Sequence, residues 1–225
     1  MSRYRIQTFR KIRKELDRYP NIGVVEPLSL GDIGFYNGRK AKFDWHSNMK
    51  NFKLSISPQK FNDPIHTADE LYTSSNAVNY EFVLDEQNLG TAQFNLNKSY
   101  SLVSQAVDLT TERYEISELE KLLLEKIRSK EIKWNPKWVI ITQVYKSPSF
   151  SLIVSGGKDG YAAIKTNTKL NQRFFNIADS SLNLTLSKSK QIAYNIIGKQ
   201  NITPFFRIHK LKKNWKTNDL KLVSY

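Results

Sequence analysis

Apolar positions recur along this chain with two different periods, and the switches between them mark its elements. Over residues 3–19, Ile6, Phe9, Ile12, Leu16 and Tyr19 return at three- and four-residue steps. That spacing predicts one amphipathic helix, ended by Pro20, because the residue before a proline is pushed out of the helical region. From Ile22 to Ser57, the short runs Val24-Val25, Ile33-Gly34-Phe35 and Phe52 to Ile56 predict strands. The Asn37-Gly38 pair between them predicts a hairpin with a type I′ turn, since both residues tolerate positive φ. Residues 58–77 are polar and proline-bearing, which predicts an irregular connection. Period two then takes over. Val78, Tyr80, Phe82 and Leu84 share one face, and Ala92, Phe94 and Leu96 alternate with Gln93, Asn95 and Asn97 before Tyr100 and Leu102. A turn at Asn88-Leu89-Gly90 would make these segments an antiparallel pair with one buried and one wet face.

Ser117 followed three residues later by Glu120 reads as a capping box. It opens a helix to about Lys130, with Leu119, Leu122, Leu123 and Ile127 facing inward. Beyond Pro136, the near-continuous apolar run Trp138 to Tyr145 predicts a strand buried on both faces. Ser149 to Val154 and Tyr161 to Lys165 read as strands around a hairpin turn at Gly156–Gly160. Leu182, Leu184 and Leu186 alternate with Asn183, Thr185 and Ser187, and Ile192, Tyr194 and Ile196 continue the pattern. Phe205, Arg207 and His209 then alternate with Phe206, Ile208 and Lys210. The stretch 212–225 is basic and loosely patterned and reads as a tail. The series predicts a single α+β domain over residues 1–211: a twisted, mostly antiparallel sheet with peripheral helices.

Composition narrows the function classes. A chain of 225 residues, 40% of them hydrophobic, can bury a substantial core, which excludes global disorder. Thirty-five Lys and Arg against 21 Asp and Glu give a formal charge of +14, an argument for an anionic partner, either nucleic acid or an acidic membrane surface. The absence of cysteine removes disulfides, thiolate nucleophiles, Cys-bearing zinc sites and palmitoylation. Charges interrupt every apolar run at the N-terminus, and the longest dense run, Trp138 to Ile141, is far below the roughly 20 residues of a spanning helix. The expectation is a soluble chain, cytoplasmic at rest. On the 3–19 helix, Arg3, Arg5, Arg10, Lys11, Arg13, Lys14 and Arg18 face only Glu15 and Asp17. The plain account is a solvated face on a core-docked helix. The sharper one is contact with acidic lipid or phosphate.

Chemistry is sparse. The histidines are His46, His66 and His209, and the Asp44/His46 and Asp63/His66 pairs are ordinary loop residues. No HExxH pair, G-x-S-x-G elbow or Walker loop occurs, and the Gly156–Gly160 run lacks a Lys-Ser/Thr ending. The expectation is therefore no catalytic residue, metal, cofactor or small-molecule substrate, and no enzymatic activity. A basic nucleic-acid-binding or assembly module without membrane activity stands as the alternative. Phe, Tyr and Trp can stack on bases, although no helix-turn-helix, RNP, KH or zinc-finger motif is present.

The order of elements resembles the gasdermin family, of the short microbial kind. A basic N-terminal helix leads into Val24-Val25-Glu26-Pro27-Leu28, and the alternating segments of 78–108 precede a helix containing Glu118-Leu119-Glu120-Lys121-Leu122-Leu123. Trp138-Val139-Ile140-Ile141-Thr142-Gln143-Val144 is similar to the Val-rich strand that follows this helix in gasdermins. Leu182 to Lys190, Ile192 to Gly198 and Pro204-Phe205-Phe206-Arg207-Ile208-His209-Lys210-Leu211 resemble the closing strands, and the resemblance spans residues 4–211. Microbial members often carry an N-terminal cysteine for lipidation, which this sequence lacks.

The resemblance implies a pore-forming cell-death effector of antiviral defence that, once activated, oligomerises and inserts β-hairpins into its host's own membrane. It implies first contact with acidic lipids through Arg3, Arg5, Arg10, Lys11, Arg13 and Lys14. Hairpins would come from 78–86 with 91–107 and from 148–166 with 180–190, carrying Tyr80, Phe82, Leu84, Phe94, Leu96, Leu152, Val154, Leu182, Leu184 and Leu186. The tail 212–225 would act as an autoinhibitory segment released by an activating protease at the connector Lys210, Leu211, Lys212, Lys213 and Asn214, or a related partner chain would hold the protein inactive.

Overall fold

Each strand ladder with a described register is antiparallel, and with the helix the strands form an α+β fold. The computed structural model describes residues 10, 12–14, 17–21, 28–38, 42–62, 72–73, 78–169, 176–178, 183–213 and 219–225. In chain order the strands are β1 (Tyr19–Pro20), β2 (Asp32–Asn37), β3 (Lys42–Asn48), β4 (Gln59–Asn62), β5 (Tyr72–Thr73), β6 (Val78–Leu84), β7 (Leu89–Leu96), β8 (Leu102–Val107) and β9 (Thr110–Arg113). The helix α1 (Ile116–Arg128) follows, then β10 (Val139–Ser155), β11 (Gly160–Lys169), β12 (Thr185–Lys190), β13 (Ile192–Lys213) and β14 (Leu220–Ser224). They fall into two compact units. The first comprises Met1–Leu16, Asn62–Leu109 and Ser147–Ile202, and the second Asp17–Phe61, Thr110–Lys146 and Thr203–Tyr225.

In the first unit, a four-stranded sheet in the order β12-β11-β7-β6 presents one apolar face. Ala92, Phe94, Leu96, Ala162 and Ile164 from that face pack against Val103 of β8, Ile153 of β10 and Ile177. β8 and β10 pair from Ser149↔Val107 to Val154↔Leu102. Pro148 precedes that ladder by one residue, so its missing N–H costs no ladder bond. The neighbouring Ser147 hydroxyl donates to the Val107 carbonyl at 2.6 Å. Ser147 begins a row of buried serines on β10. Ser151 donates to the Ile177 carbonyl and accepts the Gly198 N–H, and Ser155 donates to the Lys98 carbonyl and accepts the Ser101 N–H.

In the second unit, α1 lays Leu119 and Leu123 onto a core of Ile33, Met49, Leu54, Trp138, Ile140, Leu211 and Leu222. β13 and β10 are neighbours here, β2 follows β10 and β3 forms the end of that path, while β14 pairs with β13. Tyr19, Phe43, Val139, Ile141, Val144, Phe206 and Ile208 form a second cluster. Gly34 is required where β2 meets β3, because a Cβ there would lie 2.2 Å from the Asp44 carbonyl oxygen.

Several local expectations are corrected. Ser117 does not cap α1: the helix starts at Ile116 with Glu115 at the cap, and Ser117 bonds the Glu115 carboxylate instead. A serine already inside the first turn lacks the extended backbone that capping requires. The β2–β3 hairpin exists, but its last pair is Asn37↔Lys42, too wide for a two-residue turn. No strand forms over Phe52–Ile56: its first residue closes a 3-10 turn, Met49–Phe52, Lys53 follows at φ 53, and residues 54–56 are irregular. Residues Gly156–Gly160 do not close a hairpin, since β10 and β11 belong to different sheets. The stretch 212–225 is not patternless: Leu220–Ser224 forms β14, paired from His209↔Ser224 to Lys213↔Leu220. Its alternation of Leu220 and Leu222 around Lys221 is short, and its partner lies in the preceding segment, so local composition hid it. Val24, Val25 and most of the 3–19 helix lie outside the described residues.

Candidate membrane-contact sheet

Cross-strand registers sort the four-stranded sheet of the first unit into rows. Val78, Leu96 and Gly160 are aligned, as are Tyr80, Phe94 and Ala162, and Phe82, Ala92, Ile164 and Leu186. The opposite face carries Asn79, Asn95 and Tyr161, then Glu81, Gln93, Ala163 and Ser187, then Val83, Thr91, Lys165 and Thr185. Because successive side chains point to opposite faces, each strand's alternation becomes a property of the whole sheet. The apolar face is fully covered at its centre, where Phe94 and Leu96 are 0% exposed. At the β6 margin it opens. Tyr80 is 45% exposed, with its ring 5.3 Å from that of Phe94, and Phe82 and Leu84 are half-buried.

The expected hairpin segments are thus brought together in part. β6 pairs with β7, β7 with β11 and β11 with β12. Leu186 lies in β12 and Leu184 just before it, both packed against the same core, while Leu182 is outside the described residues. Leu152 and Val154 stand elsewhere. They belong to β10 and pair with Ser104 and Leu102 of β8, because the strand that joins this sheet begins only at Gly160.

Of the expected lipid contacts, Arg10, Arg13 and Lys14 are exposed on helical residues beside Ile12, which is 1% exposed; Arg3, Arg5 and Lys11 lie outside the described residues. Of the expected connector, Lys210, Leu211, Lys212 and Lys213 occupy the end of β13 opposite β14, and Asn214 is outside the described residues. Leu211 and Leu222 are both buried, and the Glu120 carboxylate accepts the Leu222 N–H at 2.5 Å. The serines 147, 149, 151 and 155 stand at even steps along the sequence, broken by Ile153, and that spacing is the signal for the hydroxyl row.

The titratable groups of the second unit have local roles. Asp44 pairs with Lys42 at 2.5 Å, and His46 stacks on Trp138 with centroids 4.7 Å apart. His66 and Asp63 are outside the described residues. His209 Nδ1 lies 2.8 Å from Thr142 Oγ1, and burial, aided by the Arg207 charge, holds its pKa below the ordinary value. Burial by itself would raise the Glu112 carboxyl. The Lys146 hydrogen bond at 2.7 Å, with the charges of Lys146 and Lys60, outweighs it and leaves the pKa lowered. Among the described residues no group of three His, Asp or Glu could hold a metal ion, and no helix is long and apolar enough to cross a membrane.

No protein-family model matches the chain, and no curated protein does. Among solved structures, the chain is similar to a bacterial gasdermin from Bradyrhizobium tropiciagri, with a TM-score of 0.37 and 8% identity over 96% of this chain and 90% of that one. This is the family that the order of elements resembles.

Proposed function

We propose that the protein is a pore-forming cell-death effector that, once activated, oligomerises and inserts β-hairpins into its host's own membrane. The observation that carries this reading is the set of apolar rows across β6, β7, β11 and β12, backed by mostly polar rows, broken by Val83, Tyr161 and Ala163, on the other face. Such a face can exchange a protein core for lipid without a change of sequence pattern. β11 has 10 residues, within the roughly 9–11 of a spanning strand. β6, β7 and β12, with 7, 8 and 6 residues, must lengthen from their flanks, so insertion is a refolding step. Only a closed barrel satisfies strand edges in lipid, so the inserted form is an oligomer.

Acidic lipids make the first contact, through Arg10, Arg13 and Lys14 together with Arg3, Arg5 and Lys11, each basic residue near the surface contributing roughly 1 kcal/mol. The resting protein is cytoplasmic, and the active one sits in the plasma or inner membrane. Activation requires β14 to leave β13, through a protease acting at the 210–214 connector or through a related partner chain.

Dye release from phosphatidylglycerol-containing vesicles tests this reading, with the full chain before and after limited proteolysis. Release is expected after cleavage, and Phe82→Asp and Leu186→Asp abolish it while leaving the circular dichroism spectrum unchanged. Intact vesicles under every condition overturn the reading.

A further inference from the structure

Helix α1 carries a carboxylate that its own start does not use. A capping box would tie Glu120 back to the helix N-terminus, but Glu115 holds the cap position and Ser117 bonds Glu115. Glu120 turns to another element instead. Its carboxylate accepts the backbone N–H of Leu222 at 2.5 Å, from a residue 102 positions away. Leu222 is the middle residue of β14, a strand of five residues that among the described residues pairs with β13 alone.

The ladder explains why that N–H is offered to the helix. In an antiparallel pair, opposed residues alternate between exchanging both backbone bonds and turning them away from each other. The Tyr225 N–H donates to the Ile208 carbonyl at 3.1 Å, and Lys210↔Val223 and Lys212↔Lys221 are in phase with that bond. Leu211↔Leu222 is out of phase, so the Leu222 N–H points away from β13, along the outer edge of the strand. The Glu120 carboxylate fills the place that a further strand would take there. Leu222 meets the same helix a second time: its side chain, 3% exposed, packs in one cluster with Leu119 and Leu123. The residue after β14 has anchors of its own, its ring edge-on to Tyr36 and the Tyr19 hydroxyl donated to the Tyr225 main-chain oxygen.

We propose that Glu120 is the clasp of β14: its carboxylate closes the outer edge of the strand at Leu222 and sets how often β14 opens from β13. A hydrogen bond to a carboxylate is roughly twice as strong as a neutral one, so this side chain contributes as much as about two ordinary ladder bonds. In a strand of five residues that is a large share. Glu120 is thus a positioning residue, acting through β14. How tightly β14 is held is a property of the second unit alone. Its bearing on pore formation rests on the function proposed above, in which β14 must leave β13.

Amide hydrogen exchange of the full chain, resolved residue by residue, tests the clasp. The Leu222 N–H is expected to exchange through local opening of β14, faster than that of Ile140, which is 0% exposed in β10. Glu120→Ala accelerates Leu222 exchange by about tenfold or more, as loss of a hydrogen bond to a charged group requires. Glu120→Gln keeps an acceptor oxygen and accelerates it by about threefold, which decides the matter if Glu120→Ala unfolds. Glu125→Ala, exposed on the same helix, leaves it unchanged. Trypsin cleavage after Lys210 or Lys212, opposite β14, rises in step with exchange. Unchanged exchange in the deciding variant, equal acceleration by Glu125→Ala, or Leu222 exchanging no faster than Ile140 overturns the proposal. Phosphatidylglycerol vesicles read its consequence. Faster exchange and cleavage in Glu120→Ala, with dye released at a lower protease dose, support the clasp and the pore together. Faster exchange and cleavage with no dye released under any condition uphold the clasp and overturn pore formation alone.

Discussion

The two units solve the problem of burying a sheet in different ways. The first covers its four-stranded sheet with other strands, through Val103 and Ile153, and seams β10 to its own neighbours with serine hydroxyls bonded to backbone groups. The second covers its strands with α1 and with the last strand, β14, through Leu119, Leu123, Leu211 and Leu222. One interior rests on alternation within each segment, the other on pairings between segments far apart in sequence. The charges follow the same division: 14 Lys and Arg against 10 Asp and Glu, a formal +4, in the first unit, and 21 against 11, a formal +10, in the second. A sheet buried by alternation keeps its apolar face wherever it goes, whereas one buried by a helix and a terminal strand depends on both remaining in place.

The largest test of this contrast is a pair of core truncations. Phe94→Ala, at the centre of the first unit's sheet, is expected to cost about 3–5 kcal/mol, and Leu222→Ala in β14 about 2–5 kcal/mol, in urea unfolding. A cost below about 0.5 kcal/mol for Leu222→Ala, typical of surface changes, would remove β14 from the second unit's core and break the comparison. Next comes the seam. Ser151→Ala takes a donor from the Ile177 carbonyl and an acceptor from the Gly198 N–H, and the buried groups left unpaired should cost about 1–3 kcal/mol.

Acid should act on the second unit in two stages. His209 has a folded pKa below its ordinary 6.5, so between those values the unfolded chain binds a proton that the folded chain does not. Stability therefore falls as the pH drops through that window, and His209→Gln should flatten the slope there. Glu112, lowered from 4.5, contributes stability above its unfolded value and loses it as the pH falls through its folded one. Chemical denaturation at stepped pH resolves both, and an unchanged slope in His209→Gln would remove the first stage. The smallest effect belongs to Lys60→Ala. Its side chain is 74% exposed and 3.6 Å from Glu112, and its loss should change stability by no more than about 0.5 kcal/mol.

The sequence was most readable where neighbours along the chain share one environment. Val78 to Leu84 and Ala92 to Leu96 declared their faces by alternation, and the registers align those faces as expected. Leu119 and Leu123 declared the buried side of α1 by helical spacing, and both are 0% exposed. Legibility failed where a distant partner decides. Leu152 and Val154 alternate as well as Leu186 does, yet they pair with β8, and no local feature distinguishes the two destinations. Trp138 to Tyr145 and Ser149 to Val154 read as separate strands, although β10 runs without interruption from Val139 to Ser155. β14 was hidden by its brevity, since its pairing and the Glu120 bond to Leu222 are contacts across sequence.

The serine row on β10 governs a rate as well as a stability. An interface held only by aliphatic side chains must be wetted against the full hydrophobic penalty before it separates, which raises the activation barrier. Along Ser147, Ser151 and Ser155, each hydroxyl and each backbone group it serves can exchange its protein partner for an entering water, one bond for another. The contacts of β10 with β8, Gly198, Ile177 and the 98–101 turn can therefore loosen stepwise, a hydroxyl at a time, while the closed state keeps these bonds. A first unit so constructed is able to persist at rest and still come apart quickly.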